Sequence, residues 1–391
     1  MVTFVFSNPR HHVDMMVPVA RELAERGVPF EFVSLAELRG FSAPDLGTQL
    51  PGTTLKRAVP YLRKDPAAGA GVGTGSTSGA IARRLARRAL WTAALGPRLR
   101  WLLRRSDLVV VPNDVAYPYD RLAHTLRALH RPFVLLQEGI RFPLPTEKSA
   151  GLPYGSNGAA AVCAWGEASA DHFRSVGAAR ATIRITGNPR FDGVDPRAWT
   201  ERGTELRNKL GIAREPLLYL SNTIDDMGFC TTAEKMQLFE RFLAAAAPVV
   251  AAEQRTVVVK LHPREDRAAF EAIAARASVP VAVLVDEPLF AVLAMGRAAV
   301  VLASTVGLEA LAFGLPLAVL EIPGHGQLFE YVAHEVAVPL WLDRLAGGLT
   351  ALLATQPDAG RVARFLERHM AHRGFASRRI ADTLVELRGN A

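Results

Sequence analysis

The chain has 391 residues, of which 49% are hydrophobic and only 7% aromatic, and it carries a formal net charge of +8. That length favours two domains, and an Ala-, Val- and Leu-rich core suits α/β layers whose parallel strands are buried on both faces. Two distant cysteines, Cys163 and Cys230, exclude a disulfide framework and a zinc cluster, and the absence of an eighteen-residue apolar run excludes a membrane span.

Val2–Phe6 reads as a first strand, broken by Ser7-Asn8-Pro9. No basic region precedes it, so no signal peptide is expected and a cytoplasmic location is the default. A helix follows from Val13 to its stop at Gly27, and Phe30, Phe32 and Val33 make a second strand. This is the opening of a Rossmann-like domain, but the loop lacks GxGxxG, so a dinucleotide cofactor is not expected. In place of glycines it holds Arg10-His11-His12, and a histidine at a strand's C-terminal end is placed for proton transfer. Pro66–Gly79 is low-complexity. The helical segment Ile81–Arg105 then carries Arg83, Arg84, Arg87 and Arg88 together with Trp91 and Trp101, a pattern that suits a helix packed on the sheet with its arginines solvated, and equally an anionic acceptor or the inner face of a membrane. The positive charge favours anionic partners generally, but no zinc finger, aromatic RNA-binding signature or basic tail points to nucleic acid.

Leu108–Val111 and Pro132–Leu136 are strands ending in Pro112-Asn113-Asp114 and Gln137-Glu138-Gly139, and Ala161–Trp165 is a third. Ile183–Asp192 reads as a strand and then a turn at a domain boundary. In the second half, Leu217–Leu220 is a strand ending in Ser221-Asn222-Thr223, polar groups that could meet a phosphate. Glu234–Ala252 is a long helix, and Thr256–Leu261 is a strand ending in His262-Pro263-Arg264. An imidazole can donate to a phosphate oxygen and an arginine can add a bidentate contact. Val300–Leu320 is a complete βαβ unit with Ser304, Thr305 and Gly307 at its turn and Glu309 one turn into the helix. Hydroxyls and a glycine at a helix N-terminus suit a phosphate, and the acid suits a ribose diol. The same residues also fit an ordinary βαβ unit with a hydroxyl cap and a solvated acid.

The run His12–Gly27 resembles the opening of glycosyltransferases of the GT-B fold, where a histidine begins a helix ending in Leu-Ala-x-Arg-Gly. Gln137-Glu138-Gly139 resembles the acidic-Gly motif of bacterial sialyltransferases and capsule-polymer transferases. His262-Pro263 resembles the His-Pro motif that those enzymes share with teichoic-acid polymerases. The Thr186-Gly187-Asn188-Pro189 segment is similar to one common to GT-B transferases and sugar-nucleotide 2-epimerases.

The resemblance implies two Rossmann-like domains facing across a cleft: an acceptor domain over residues 1–188, a nucleotide-donor domain over 189–370, and a C-terminal helix over 371–391 crossing back to the first. It implies His12 or Glu138 as the base. Donor contacts fall on Asn222, Thr223, His262, Arg264, Ser304, Thr305, Gly307 and Glu309. The expected function is transfer of a sugar from a UDP- or CDP-linked donor to an acceptor hydroxyl of a glycan, a lipid-linked or a small molecule. No metal and no separate cofactor are expected, since no Asp-x-Asp motif is evident. The alternatives are a CDP-glycerol-type polyol-phosphate transferase, a UDP-N-acetylglucosamine 2-epimerase-like isomerase and a non-catalytic anion-binding protein. Against the isomerase, Ser221–Asp225 stands where that family's His-Arg-x-Glu-Asn block would fall.

Overall fold

The computed structural model describes residues 1–59, 89–139, 153–179 and 182–389. The low-complexity stretch lies outside these residues, as do Arg83, Arg84, Arg87 and Arg88. The chain forms two compact units, one comprising the described residues up to Val194 and again from Arg368, the other spanning Asp195–Glu367.

The first unit is built on a parallel sheet of β1 (Val2–Phe6), β2 (Phe30–Ser34), β3 (Leu55–Arg57), β4 (Leu108–Val111), β5 (Phe133–Leu136), β6 (Ala161–Ala164) and β7 (Ile183–Ile185). Its order is β3-β2-β1-β4-β5-β6-β7. The short edge strand β3 escapes sequence reading because only three residues pair and none is buried. β1, β4, β5 and β6 are buried at every residue, as continuous apolar runs in a doubly covered parallel sheet should be. The chain leaves β1 in one direction along the sheet and returns at β4 in the other, so the β1/β4 boundary is the topological switch point, where open α/β sheets gather functional groups.

The second unit repeats the plan with β8 (Leu217–Leu220), β9 (Val257–Lys260), β10 (Val281–Leu284), β11 (Ala298–Val301), β12 (Leu317–Leu320) and β13 (Val338–Leu340), all parallel. The order β10-β9-β8-β11-β12-β13 puts its switch point between β8 and β11. The long helix runs Thr232–Ala252, two residues earlier than expected, because Thr231 and Glu234 form a reciprocal capping box.

One side chain ties the end of the chain to the first unit. Both carboxylate oxygens of Asp192 accept main-chain N–H bonds, from Ala376 at 2.8 Å and Ser377 at 2.6 Å, at the start of the last helix, Ala376–Gly389. That helix buries Ile380, Ala381 and Leu384 in the same core as Met15, Met16 and Val19 of the first helix, His11–Glu25. In the basic segment, the residues from 89 onward are helical, with Trp91, Leu95, Leu99 and Leu102 buried. Trp101 is instead 52% exposed, with the guanidinium carbons of Arg98 and Arg104 at 5.0 and 4.4 Å from its ring centroid. Among the described residues no helix is long and apolar enough to cross a membrane.

Removing the remote cap should loosen the last helix. Asp192→Ala is expected to cost about 1–2 kcal/mol, read as a lowered midpoint in thermal unfolding, with Asp192→Asn losing less.

Candidate functional site

In the first unit the register aligns Val111 with Leu135 and Phe4 with Val110, so the turns after β1, β4 and β5 leave the sheet side by side. The turn after β1 is fixed by Asn8, whose Oδ1 accepts the N–H groups of Arg10 (3.0 Å) and His11 (3.1 Å) and so opens the first helix. This places His11 and His12 on the first helical turn. His12 is buried, and its Nδ1 accepts N–H bonds from Ser7 and Asn8, each at 3.2 Å. A main-chain N–H can only donate, so the ring proton of the neutral imidazole resides on Nε2. That nitrogen donates to Glu138 Oε2 at 2.9 Å.

Glu138 is the point on which these turns converge. Its other oxygen, Oε1, accepts from Asn113 Nδ2 at 2.6 Å. Asn113 is itself aimed by Val115 and Ala116, whose N–H groups donate to its Oδ1 at 2.9 and 2.7 Å. The Glu138 carbonyl accepts from His11 Nε2 at 2.6 Å, and the Glu138 N–H donates to Tyr154 Oη at 3.2 Å. Tyr154 in turn donates to the carbonyl of Pro112 at 3.1 Å. The carboxylate therefore receives a donor from the β1 turn and another from the β4 turn, and its side chain keeps 23% exposure. Burial, with Arg190 adding to it, holds the His11 pKa down at about 4, so this ring is a neutral donor at pH 7.

In the second unit Leu220 pairs with Lys260 on one side and with Val301 on the other, so the turns after β8, β9 and β11 are also adjacent. Asn222 and Thr223, His262 and Arg264, and Ser304 and Thr305 stand on these turns. The structure thus brings the predicted residues of each unit to one sheet edge. Asn222 Nδ2 donates to the Ala303 carbonyl across the switch point. What the side chain retains for a ligand is an acceptor, which suits a hydroxyl or N–H donor better than a phosphate oxygen. His262 Nδ1 accepts the Arg264 N–H at 3.2 Å, so Nε2 is again the proton-bearing nitrogen. Burial and the neighbouring Arg264 guanidinium lower the His262 pKa, favouring a neutral ring. Arg264 spans to the β8 turn, donating to Thr223 Oγ1 at 3.0 Å and pairing with Asp226 at 3.2 Å.

At the β11 turn Ser304 Oγ accepts the Val306 N–H at 3.2 Å, at the entry to the helix Val306–Ala312, while keeping its own proton to donate. Gly307 has a reason the sequence does not show. A Cβ there would lie 2.7 Å from the Tyr331 ring, and the Tyr331 hydroxyl donates to the Ser304 carbonyl at 3.1 Å. Burial, then Glu309, raises the Tyr331 pKa, so it remains a phenol donor. Glu309 itself is buried at 3% exposure. The residues missed from the sequence are thus supporting ones: Asn113 and Tyr154 in the first unit, Tyr331 in the second. Only Asn113, at a strand's C-terminal end, carried a local signal.

No protein-family model and no curated protein matches the chain. Solved structures do. The UDP-GlcNAc 2-epimerase of Neisseria meningitidis bound to UDP-GlcNAc superposes with a TM-score of 0.63 at 13% identity, over 98% of this chain and 99% of that one. The Methanocaldococcus jannaschii UDP-GlcNAc 2-epimerase in complex with UDP-GlcNAc and UDP gives 0.62 at 12% identity, over 98% and 99%. Anabaena HepE in complex with UDP gives 0.59 at 15% identity, again over 98% and 99%. The chain shares their fold. The two-domain α/β architecture expected from the sequence is the one observed.

The His11 environment sets a pH dependence. Its ordinary pKa near 6.5 lies above the folded value of about 4, so protons bind the unfolded chain first. The stability that depends on the neutral ring is complete above pH 6.5 and drains away as pH falls from 6.5 towards 4. Chemical denaturation across that window should show a slope that flattens in His11→Gln.

Proposed function

We propose that the chain is an enzyme acting on a nucleotide sugar, in which Glu138 takes a proton and the turns after β8, β9 and β11 bind the nucleotide. The observation that carries this is the clamp on Glu138, two side-chain donors on its carboxylate and two further bonds on its main chain. Held so, the carboxylate is fixed in one orientation at the end of β5 and keeps part of its surface open, as a group that takes a proton from a substrate needs. His12 cannot serve as the base in this arrangement, because Nδ1 is filled by main-chain N–H groups and Nε2 already carries its proton. Its task is to aim Glu138. His262 is the complementary case, a neutral Nε2–H donor suited to a phosphate oxygen as negative charge grows on a departing nucleotide.

Two reactions use these parts. In 2-epimerisation of a UDP-N-acetylhexosamine the carboxylate removes the proton on C2 as the C1–oxygen bond to UDP breaks, and the C1–C2 double bond so formed takes a proton on its other face as UDP adds back at C1; the names of the solved structures that share the fold support this reading. In glycosyl transfer it removes the proton of an acceptor hydroxyl as the sugar leaves the nucleotide. The second reading is favoured by the Ser221–Asp225 turn, which differs from the block expected of the epimerase family. Transfer from a CDP-linked polyol would use the same base.

Turnover of UDP-GlcNAc in deuterated water separates them. Epimerisation places deuterium on C2 and needs no second substrate, whereas transfer leaves C2 unlabelled and releases nucleotide only with an acceptor. In whichever assay reports activity, Glu138→Gln should lower kcat by roughly 10²- to 10⁴-fold. His12→Ala and Asn113→Ala should each lower it less, with KM for the nucleotide sugar little changed. Full activity in Glu138→Gln would remove the proposed base.

A further inference from the structure

Beneath the nucleotide turns of the second unit lies an ion pair that the proposed chemistry does not use. Lys235, on the long helix Thr232–Ala252, is buried at 4% exposure, and the side chain of Glu265 is 1% exposed. Their charged atoms are 2.8 Å apart, and Lys235 Nζ also meets Asp225 Oδ1 at 2.9 Å. Asp225 is braced by the Thr232 hydroxyl, which donates to its Oδ2 at 2.9 Å.

Removing a carboxylate and an ammonium from water is expensive, and a buried pair repays it only with good geometry and further hydrogen bonds. Hydrophobic residues of the same volume would serve stability as well or better. The further bonds made here are specific. Glu265 Oε1 accepts the Ser221 hydroxyl at 2.7 Å, at the end of β8, and Oε2 accepts the His262 N–H at 2.6 Å, at the end of β9. A single buried carboxylate thus ties together the two turns that carry Asn222, Thr223, His262 and Arg264, and Lys235 anchors it to a third element.

We propose that Glu265 and Lys235 are positioning residues for nucleotide binding: the pair fixes the His262 turn against the Ser221–Asp225 turn so that their donors converge on the diphosphate of a nucleoside diphosphate. This rests on the nucleotide-sugar reading of the same turns. Lys235 does not touch the ligand. It holds Glu265, Glu265 holds the main chain of His262 and the side chain of Ser221, and the ligand meets what those turns present.

Calorimetric titration of the full chain with UDP and with CDP, paired with thermal unfolding, tests this. The mildest variant is Ser221→Ala, which deletes one hydroxyl from the network; Ser221→Thr restores it. Ser221→Ala should weaken binding of the preferred nucleotide about 3- to 10-fold with little change in unfolding midpoint, and Ser221→Thr should recover most of the loss. The paired variant Lys235→Met/Glu265→Gln, which removes both charges of the pair and leaves Asp225 its bond from the Thr232 hydroxyl, should weaken binding by about 10-fold or more. Should that double variant fail to fold, the Ser221 series decides alone. Failure of the unaltered chain to bind either nucleotide overturns the nucleotide reading and this inference with it. Binding by the unaltered chain that Ser221→Ala leaves unchanged overturns the inference alone.

Discussion

The arrangement of the first unit turns on a single carboxylate. Glu138 lies at the end of β5, yet three neighbouring segments reach it: the β1 turn through His11 and His12, the β4 turn through Asn113, and the loop at Tyr154. None of these bonds forms unless the parallel sheet sets its strand ends in register, and the register follows from the buried apolar runs of β1, β4 and β5. Core packing is thereby converted into the placement of one oxygen pair. The cost of assembling so many polar groups at a partly buried site is offset because the observed bonds engage both carboxylate oxygens, the carbonyl and the amide of that residue.

A shared device appears in the second unit. In both His12 and His262 a main-chain N–H donates into Nδ1, which assigns the proton to Nε2 without help from a second acid. The consequences differ because the surroundings differ. Nε2 of His12 is spent on the Glu138 carboxylate. His262 shares no such carboxylate at Nε2 among the bonds observed, and the Arg264 guanidinium beside it is turned to Thr223 and Asp226. Polar groups at a strand end acquire chemistry from what lies across the switch point rather than from their own sequence neighbours.

The fold was largely legible in the sequence, because parallel strands buried on both faces read as short Val- and Leu-rich runs and several helix stops are marked by a glycine such as Gly27, Gly211 or Gly314. The short strands β3 and β13 were not, since three residues at a sheet edge, of which only Leu340 is buried, carry too little pattern. Of the site, the residues at strand ends were legible by position. Their division of labour was not, because it depends on hydrogen bonds across large sequence separations. Glu138 meets His12 from 126 residues away, and Glu265 meets Ser221 from 44. The role of Gly307 illustrates the limit most plainly: it reads as a phosphate-turn glycine, and it also makes room for a tyrosine that no local pattern connects to it.

The account depends most on which nitrogen of His12 carries the proton, since that separates an orienting ring from a base. Nitrogen-15 NMR of the imidazoles in the unliganded chain near pH 7 reads this directly. The structure predicts His12 in the Nε2–H form with an unprotonated Nδ1, and a change in the Nε2 signal when Glu138 is replaced by Gln. A His12 ring carrying its proton on Nδ1, with Nε2 an open acceptor, would contradict the assignment of the proton-taking role to Glu138.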